Sequence, residues 1–291
     1  MFKYVIIVAI GAISYGALTS FAKIAYNEGY SAAEITFAQA FLGALVLWLL
    51  TATTKKSAKV SVKSKWKLVI AGAAMGCSAY CFYLSVKFIP VSLSIVLLMQ
   101  VSWISNLAEC ILFKRKPLIA EFIASLMIIL GTTLAGNLIG ASGEDVAISG
   151  VVLALAAACF YTVYVLATSK LGNELPKLQK SALMTSGSAL MILMINLPSI
   201  TSNSHFDIGL LKWGSLLAIF GTVIPPICFT IGMPKIGPSL SGILLTLELP
   251  AVVLCAHLIL KEPITGLQLS GIGVMITAII YLNLATAKFK V

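Results

Sequence analysis

Residues 65–114 read KWKLVIAGAAMGCSAYCFYLSVKFIPVSLSIVLLMQVSWISNLAECILFK, and residues 212–261 read KWGSLLAIFGTVIPPICFTIGMPKIGPSLSGILLTLELPAVVLCAHLILK. Laid over one another without a gap, at a spacing of 147, they are two copies of one stretch. Lys65-Trp66 falls on Lys212-Trp213, Cys81-Phe82 on Cys228-Phe229, and Ser92-Leu93-Ser94 on Ser239-Leu240-Ser241. Leu97/Leu244, Leu98/Leu245 and Lys114/Lys261 extend the match. Leucine identities arise by chance in any apolar chain, so the Lys-Trp, Cys-Phe and Ser-Leu-Ser pairs carry the reading.

The 291 residues are 59% hydrophobic and only 10% charged, where soluble domains run at about 45–50% and about 25%. A bilayer core of about 30 Å needs about 20 apolar residues per helix. Ten such runs lie at about 4–26, 32–52, 67–88, 91–113, 120–140, 148–168, 181–198, 210–233, 238–260 and 266–287. The short connections leave no room for a soluble domain. The expected fold is an all-α integral membrane protein of ten transmembrane helices. A membrane chain with an internal repeat is most simply a transporter of two homologous halves.

The net charge of +10 invites a nucleic-acid partner, but its placement argues against one. With the N-terminus inside, the inner set is Lys3, six lysines in the 55–67 loop, Lys114-Arg115-Lys116, Lys170, Lys177, Lys180, Lys235, Lys288 and Lys290. Only Lys23, Lys87, Lys212 and Lys261 fall outside. The positive-inside rule then places both termini in the cytoplasm of a multi-pass cell-membrane protein. The first apolar run is long enough to act as an uncleaved anchor.

Five runs precede Gly143 and five follow Val146, so the halves are expected at 1–143 and 146–291, with Gly143-Glu144-Asp145 as the hinge between them. Five is odd, so homologous halves would cross the membrane in opposite senses, as an inverted-topology repeat. Such transporters bind substrate near the midplane, between the repeats. Pro225-Pro226 in span 8 and Pro250 in span 9 free backbone carbonyls and permit kinks. Those kinks read either as ordinary packing or as gating points beside a cavity. Gly72 and Gly76 in span 3 allow close helix approach.

The stretches Ile219-Phe220-Gly221-Thr222-Val223-Ile224-Pro225, Ile236-Gly237-Pro238-Ser239-Leu240-Ser241, Leu247-Glu248-Leu249-Pro250 and Leu260-Lys261-Glu262-Pro263 resemble the second half of EamA-type transporters. These belong to the drug/metabolite transporter superfamily. The first half resembles the same domain in weaker form, with Lys116-Pro117 where the second has Glu262-Pro263. The resemblance spans nearly the whole chain as two tandem domains. It implies ten helices, a central cavity lined by helices 1, 3, 4, 6, 8 and 9, and small metabolites as substrates. One departure stands out: many relatives carry an arginine in helix 2 where this chain has Gln39.

Glu248 and Glu109 are the only acids well inside apolar runs. Glu248 sits about ten residues into span 9, roughly 15 Å deep, where a charge costs about 2.5–3.5 kcal/mol on insertion scales. It reads as a proton-coupling group, as an anchor for a substrate amine, or as a carboxyl bonded to backbone freed by Pro250. Ser102, Ser105, Asn106 and Glu109 share one face of span 4, which would line a cytoplasmic vestibule or pack on another helix. Tyr80, Trp103, Tyr161 and Tyr164 lie in spans that the resemblance assigns to the cavity, where rings bind apolar or cationic groups. Taken singly, each reads better as packing. Ser14, Tyr15 and Gln100 complete the polar candidates.

Nothing in the sequence calls for a cofactor. Cys77, Cys81, Cys110, Cys159, Cys228 and Cys255 all lie in apolar runs and read as packing residues. With only His205 and His257, no metal site is expected, and His257 lies about 180° round the helix from Glu248. The expected function is alternating-access export of small metabolites such as amino acids, with protons as a candidate coupling ion and a homodimer compatible with the fold. Uptake of sugars or other metabolites is the rival within that class. A membrane-embedded enzyme would need polar residues clustered at one interface, and a channel would need a ring of acids.

Overall fold

The structure, a computed structural model, describes residues 2–54, 61–136, 147–203 and 207–288. The Gly143-Glu144-Asp145 hinge, Lys55, Lys56, Lys59, Lys290 and His205 lie outside them. Every described element is helical. The first half holds α1 (Phe2–Asn27), α2 (Ala32–Thr53), α3 (Val62–Ser85), a fourth span divided into α4 (Val91–Leu98) and α5 (Val101–Phe113), and α6 (Ile119–Ala135). The second half holds α7 (Ile148–Lys170) and α8 (Lys177–Asn203). Its third span is α9 (Ile208–Leu217), a π-helical turn (Ala218–Val223) and α10 (Ile224–Ile236). A fourth span divided into α11 (Pro238–Leu245) and α12 (Glu248–Leu260) precedes α13 (Gly266–Lys288). Among the described residues, nine spans are long and apolar enough to cross a membrane, and Ile119–Ala135 is a shorter apolar helix. Each of the ten apolar runs thus coincides with a helical span where it is described, in a multi-pass membrane fold.

The repeat reappears in the backbone. Shifting α4 and α5 by 147 residues lands on the bounds of α11 and α12. Both fourth spans end on a lysine in the left-handed region, Lys114 at φ 49° and Lys261 at φ 61°. That region costs an L-residue about 1–2 kcal/mol. In both cases the next N–H folds back onto the last turn, Arg115 N to Cys110 O at 3.2 Å and Glu262 N to Ala256 O at 3.3 Å. These bonds satisfy carbonyls that the helix end leaves free, and a cation suits the negative end of the helix dipole.

Two boundaries differ from the sequence reading. α3 begins at Val62, not near 67, because Lys63, Lys65 and Lys67 continue the helix. Lysine is a good helix former, and its long stem lets the charge reach water from a first turn. α8 begins at Lys177, four residues early, directly after Pro176. The far ends are capped by polar groups: Ser31 and Glu34 form a reciprocal capping box on α2. Asp207 accepts from Leu210 N at 2.7 Å and from Tyr30 Oη at 2.8 Å. Those bonds, the backbone one first, hold the Asp207 carboxyl below the usual range.

The interior mixes alanines, serines and threonines with larger apolar residues such as Leu68, Met184, Phe229 and Leu244, while Phe41, Leu45, Leu49, Leu126 and Leu130 face outward. Without a solvent difference to drive burial, membrane helices associate through close packing. Gly72 of α3 and Gly187 of α8 show the limit of that approach. A Cβ at Gly72 would fall on the Met184 carbonyl, and one at Gly187 on the Val69 carbonyl. α3 packs on α7 and α8, α1 packs on α10 and α12, and α6 pairs with α13.

Candidate functional site

A cavity of about 190 Å³ opens among the spans. α1 contributes Tyr15 and Thr19, α2 contributes Gln39, and α3 contributes Ser78, Phe82 and Tyr83. Tyr161 and Tyr164 come from α7, Thr185 and Ser188 from α8, Gly221 and Thr222 from the π turn, and Glu248 from the start of α12. Spans 2 and 7 thus join the lining beside the six spans that the resemblance implied. In chain order most of these residues lie near the middle of their spans, with Phe82 and Tyr83 near the end of α3, Tyr164 toward the Lys170 end of α7 and Thr185 toward the Lys177 end of α8.

The break in span 8 follows from its two prolines. In the π turn, Ile224 N–H bonds Ile219 O, five residues back. Continued in that register, residues 225 and 226 would bond Phe220 O and Gly221 O, but proline has no N–H. Ser14 of α1 supplies the missing donor, its Oγ donating to Phe220 O at 2.6 Å. Pro226 and Gly221 both face the cavity, so freed backbone and cavity coincide. Pro250 likewise cannot donate to Thr246 O, and the chain there tightens to three-residue bonds, Leu247 N to Leu244 O and Leu249 N to Thr246 O, each 3.2 Å.

Glu248 is the only Asp, Glu, Lys, Arg or His in the lining. No hydrogen bond or ion pair to its carboxyl occurs among the described residues. The hydroxyls of Tyr15, Tyr83 and Tyr161 lie close enough to interact with it electrostatically. The rings of Tyr161 and Tyr164 are 6.3 Å apart between centroids, and Tyr15 packs on Phe229 at 5.9 Å. The Tyr161 hydroxyl is buried without a hydrogen-bond partner.

The sequence candidates divide accordingly. Tyr15, Tyr161, Tyr164, Pro226 and Glu248 line the cavity. Ser14 sits behind it, bonded to the π turn, and Pro225 and Pro250 act through the backbone. Tyr80 lines a neighbouring pocket between α2, α3 and α8. Gln100 and Trp103 do not belong to the lining: Trp103 Nε1 donates to Gln100 Oε1 at 2.8 Å, and Gln100 Nε2 donates to Val96 O at 2.8 Å. α5 turns Ser102, Ser105 and Asn106 inward, so Trp103, one step of 100° from Ser102, faces out.

Glu109 resolves toward packing. Its Oε2 accepts from Ser239 N, in the first turn of α11, at 3.0 Å. Lys170 Nζ stands 3.3 Å from Oε1, and Arg115 Nη2 stands 3.7 Å from Oε2. Arg115 also holds Glu121 at 2.8 Å. This cluster ties spans 4, 5, 6 and 9 together at the N-terminal end of the bundle, across from the cavity. His257 is satisfied locally, Nδ1 lying 2.7 Å from Glu262 O. Lys180, read from sequence as a topology lysine, is fully buried and donates to Thr168 O at 2.6 Å and Asn173 Oδ1 at 2.8 Å. Thr185 and Ser188 were missed; their hydroxyls in an otherwise apolar run were the available signal.

The profile of the EamA-like transporter family matches residues 2–136 and 148–284. The threonine/homoserine exporter RhtA of Escherichia coli (strain K12) is 24% identical over 287 residues, covering 94% of this chain and 88% of that protein. RhtA of Salmonella typhimurium (strain LT2) is 24% identical over 284 residues, with the same coverage. A solved crystal structure superposes with a TM-score of 0.81 at 14% identity, covering 99% of both chains, a likeness of fold.

Proposed function

The chain belongs to the EamA-like transporter family, and from that premise we propose that it is a secondary transporter exporting small amine-bearing metabolites, such as amino acids, by alternating access. The observation that carries the substrate reading is Glu248, an unpaired carboxyl among tyrosine rings in a cavity without a cation. An ammonium supplies the three N–H donors and the positive charge that such a site lacks. The likeness to threonine/homoserine exporters supports both the substrate type and the outward direction.

The halves, 1–143 and 146–291, are taken as an inverted repeat. Exchanging corresponding spans turns the α3–α7 contact into α10–α1, the α5–α7 contact into α12–α1, and α6–α13 into itself. That closure supports a two-fold relation, and an odd number of spans per half puts its axis in the membrane plane. With both termini cytoplasmic in the cell membrane, the cavity faces outward and the Glu109 cluster closes the inner side. Protons are the candidate coupling ion, with Glu248 as the carrier.

Two measurements test this. Impermeant labelling of single cysteines placed at 58 and in the 261–265 loop of intact cells should mark only the second; labelling at 58 would overturn the orientation. In proteoliposomes holding the purified chain, counterflow of labelled threonine and related amines should exceed that of sugars. Transport of sugars without amines would overturn the substrate reading.

A further inference from the structure

We infer that the cavity selects small organic monocations, amines whose ammonium is their only charge, such as amino alcohols and amino-acid amides, over the amino acids with the same side chain. The inference rests on the amine reading above and narrows it.

The wall's single formal charge is negative, at Glu248. Three lining hydroxyls have already committed their protons to helix carbonyls: Thr19 to Gly16 O at 2.8 Å, Thr36 to Ala32 O at 2.6 Å, and Ser78 to Ala157 O at 2.8 Å. A hydroxyl has one proton and two lone pairs, so these groups present lone pairs to the cavity. The proline pair adds acceptor character at Gly221, whose carbonyl loses its helical donor. Carboxylate, lone pairs and ring faces all favour a ligand rich in N–H and positive charge.

A zwitterion brings a carboxylate as well. That group would share the cavity with Glu248, a like charge, and no lysine, arginine or histidine lines the wall to offset it. The donors that remain are neutral. The hydroxyls of Tyr15, Thr185, Ser188 and Thr222 line the cavity without a side-chain hydrogen bond among the described residues. The Tyr161 hydroxyl lacks a partner, and the Gln39 amide lies against Gly221, where an added Cβ would meet its nitrogen. These suit a ligand hydroxyl or amide, which hydrogen-bonds without charge. A buried carboxylate held by neutral donors alone is poorly compensated.

The test uses the full chain in detergent and in proteoliposomes, with matched pairs: threonine and threoninol, leucine and leucinol, phenylalanine and phenylalanine amide. In each pair the monocation should stabilise the protein against heat more strongly and show at least tenfold higher kcat/KM. The deaminated acids should neither bind nor move. Glu248→Gln should abolish the preference, and Glu248→Asp, which keeps the charge, should retain it; the Asp variant controls for misfolding in the Gln variant. Amino acids equal to or better than their monocation partners would overturn this inference and leave the amine-transport reading standing. Response to sugars or anions, with none to any amine, would overturn both.

Discussion

Span 4 and span 9 share a backbone and differ in chemistry. Both break after eight helical residues, both resume for thirteen, and both end on a left-handed lysine. Where span 9 resumes on Glu248, with Pro250 two residues on, span 4 resumes on Val101, with Trp103 in the place of the proline. Val101 is fully buried and Trp103 faces outward, whereas Glu248 opens into the cavity. The repeat has kept the scaffold in duplicate and put the charged group in one copy. The ends of the first helix in each half repeat that pattern. Lys23 and Lys170 are 147 residues apart, and each meets an acid belonging to its partner span. Lys170 meets Glu109, whose side chain is 8% exposed, while Lys23 meets Glu262 in the open, at 45%.

The comparison breaks most easily at Gly72 and its counterpart 147 residues on, Ile219. Gly72→Leu would drive a side chain into the α8 backbone at Met184, costing about 1–3 kcal/mol. Ile219 is 48% exposed, so Ile219→Leu should be silent. Thermal unfolding in detergent reads both, and equal effects would deny that α3 and the π-turn span pack differently. Of similar size, Glu109→Gln removes a charge that serves one backbone N–H and two cations. Hydrogen bonds to charged groups are worth about 1.5–3 kcal/mol, so stability should fall by that order and the end of the bundle that Glu109 ties together should become more accessible to thiol reagents. Ser14→Ala leaves Phe220 O without its donor, a loss of about 0.6 kcal/mol by the average for membrane hydrogen bonds. Smallest of all, Lys23→Ala should cost about 0–1 kcal/mol, because the exposed pair is screened by salt. A Lys23→Ala effect as large as that of Glu109→Gln would erase the contrast between the two ends.

The ten apolar runs and the repeat were legible because span length and the 147-residue spacing are one-dimensional properties. Glu248 was legible because a carboxyl is conspicuous at that depth. The rest of the site was not, because facing depends on rotation about a helix axis. Trp103 and Tyr80 sit in spans that border the cavity, yet each is one residue away from an inward-facing position. Lys180 looked like a surface lysine because nothing local announces that Thr168 O and Asn173 fold over it. The contribution of α8 depends on the glycine crossing with α3, and such pairing is a tertiary fact.

On the proposed function, the charge that handles substrate resides in one half alone, at Glu248. The direct measurement is counterflow of a labelled small amine in proteoliposomes, with and without an imposed pH gradient. It is made for the wild type, for Glu248→Gln, and for the exchange variant Glu248→Val with Val101→Glu. Glu248→Gln should lose tenfold to a hundredfold in kcat/KM, the equivalent of about 1.5–3 kcal/mol, together with its response to the gradient. The exchange variant should not recover, because position 101 faces packing and not the cavity. Gradient-driven transport by Glu248→Gln at the wild-type rate, or recovery in the exchange variant, would contradict it.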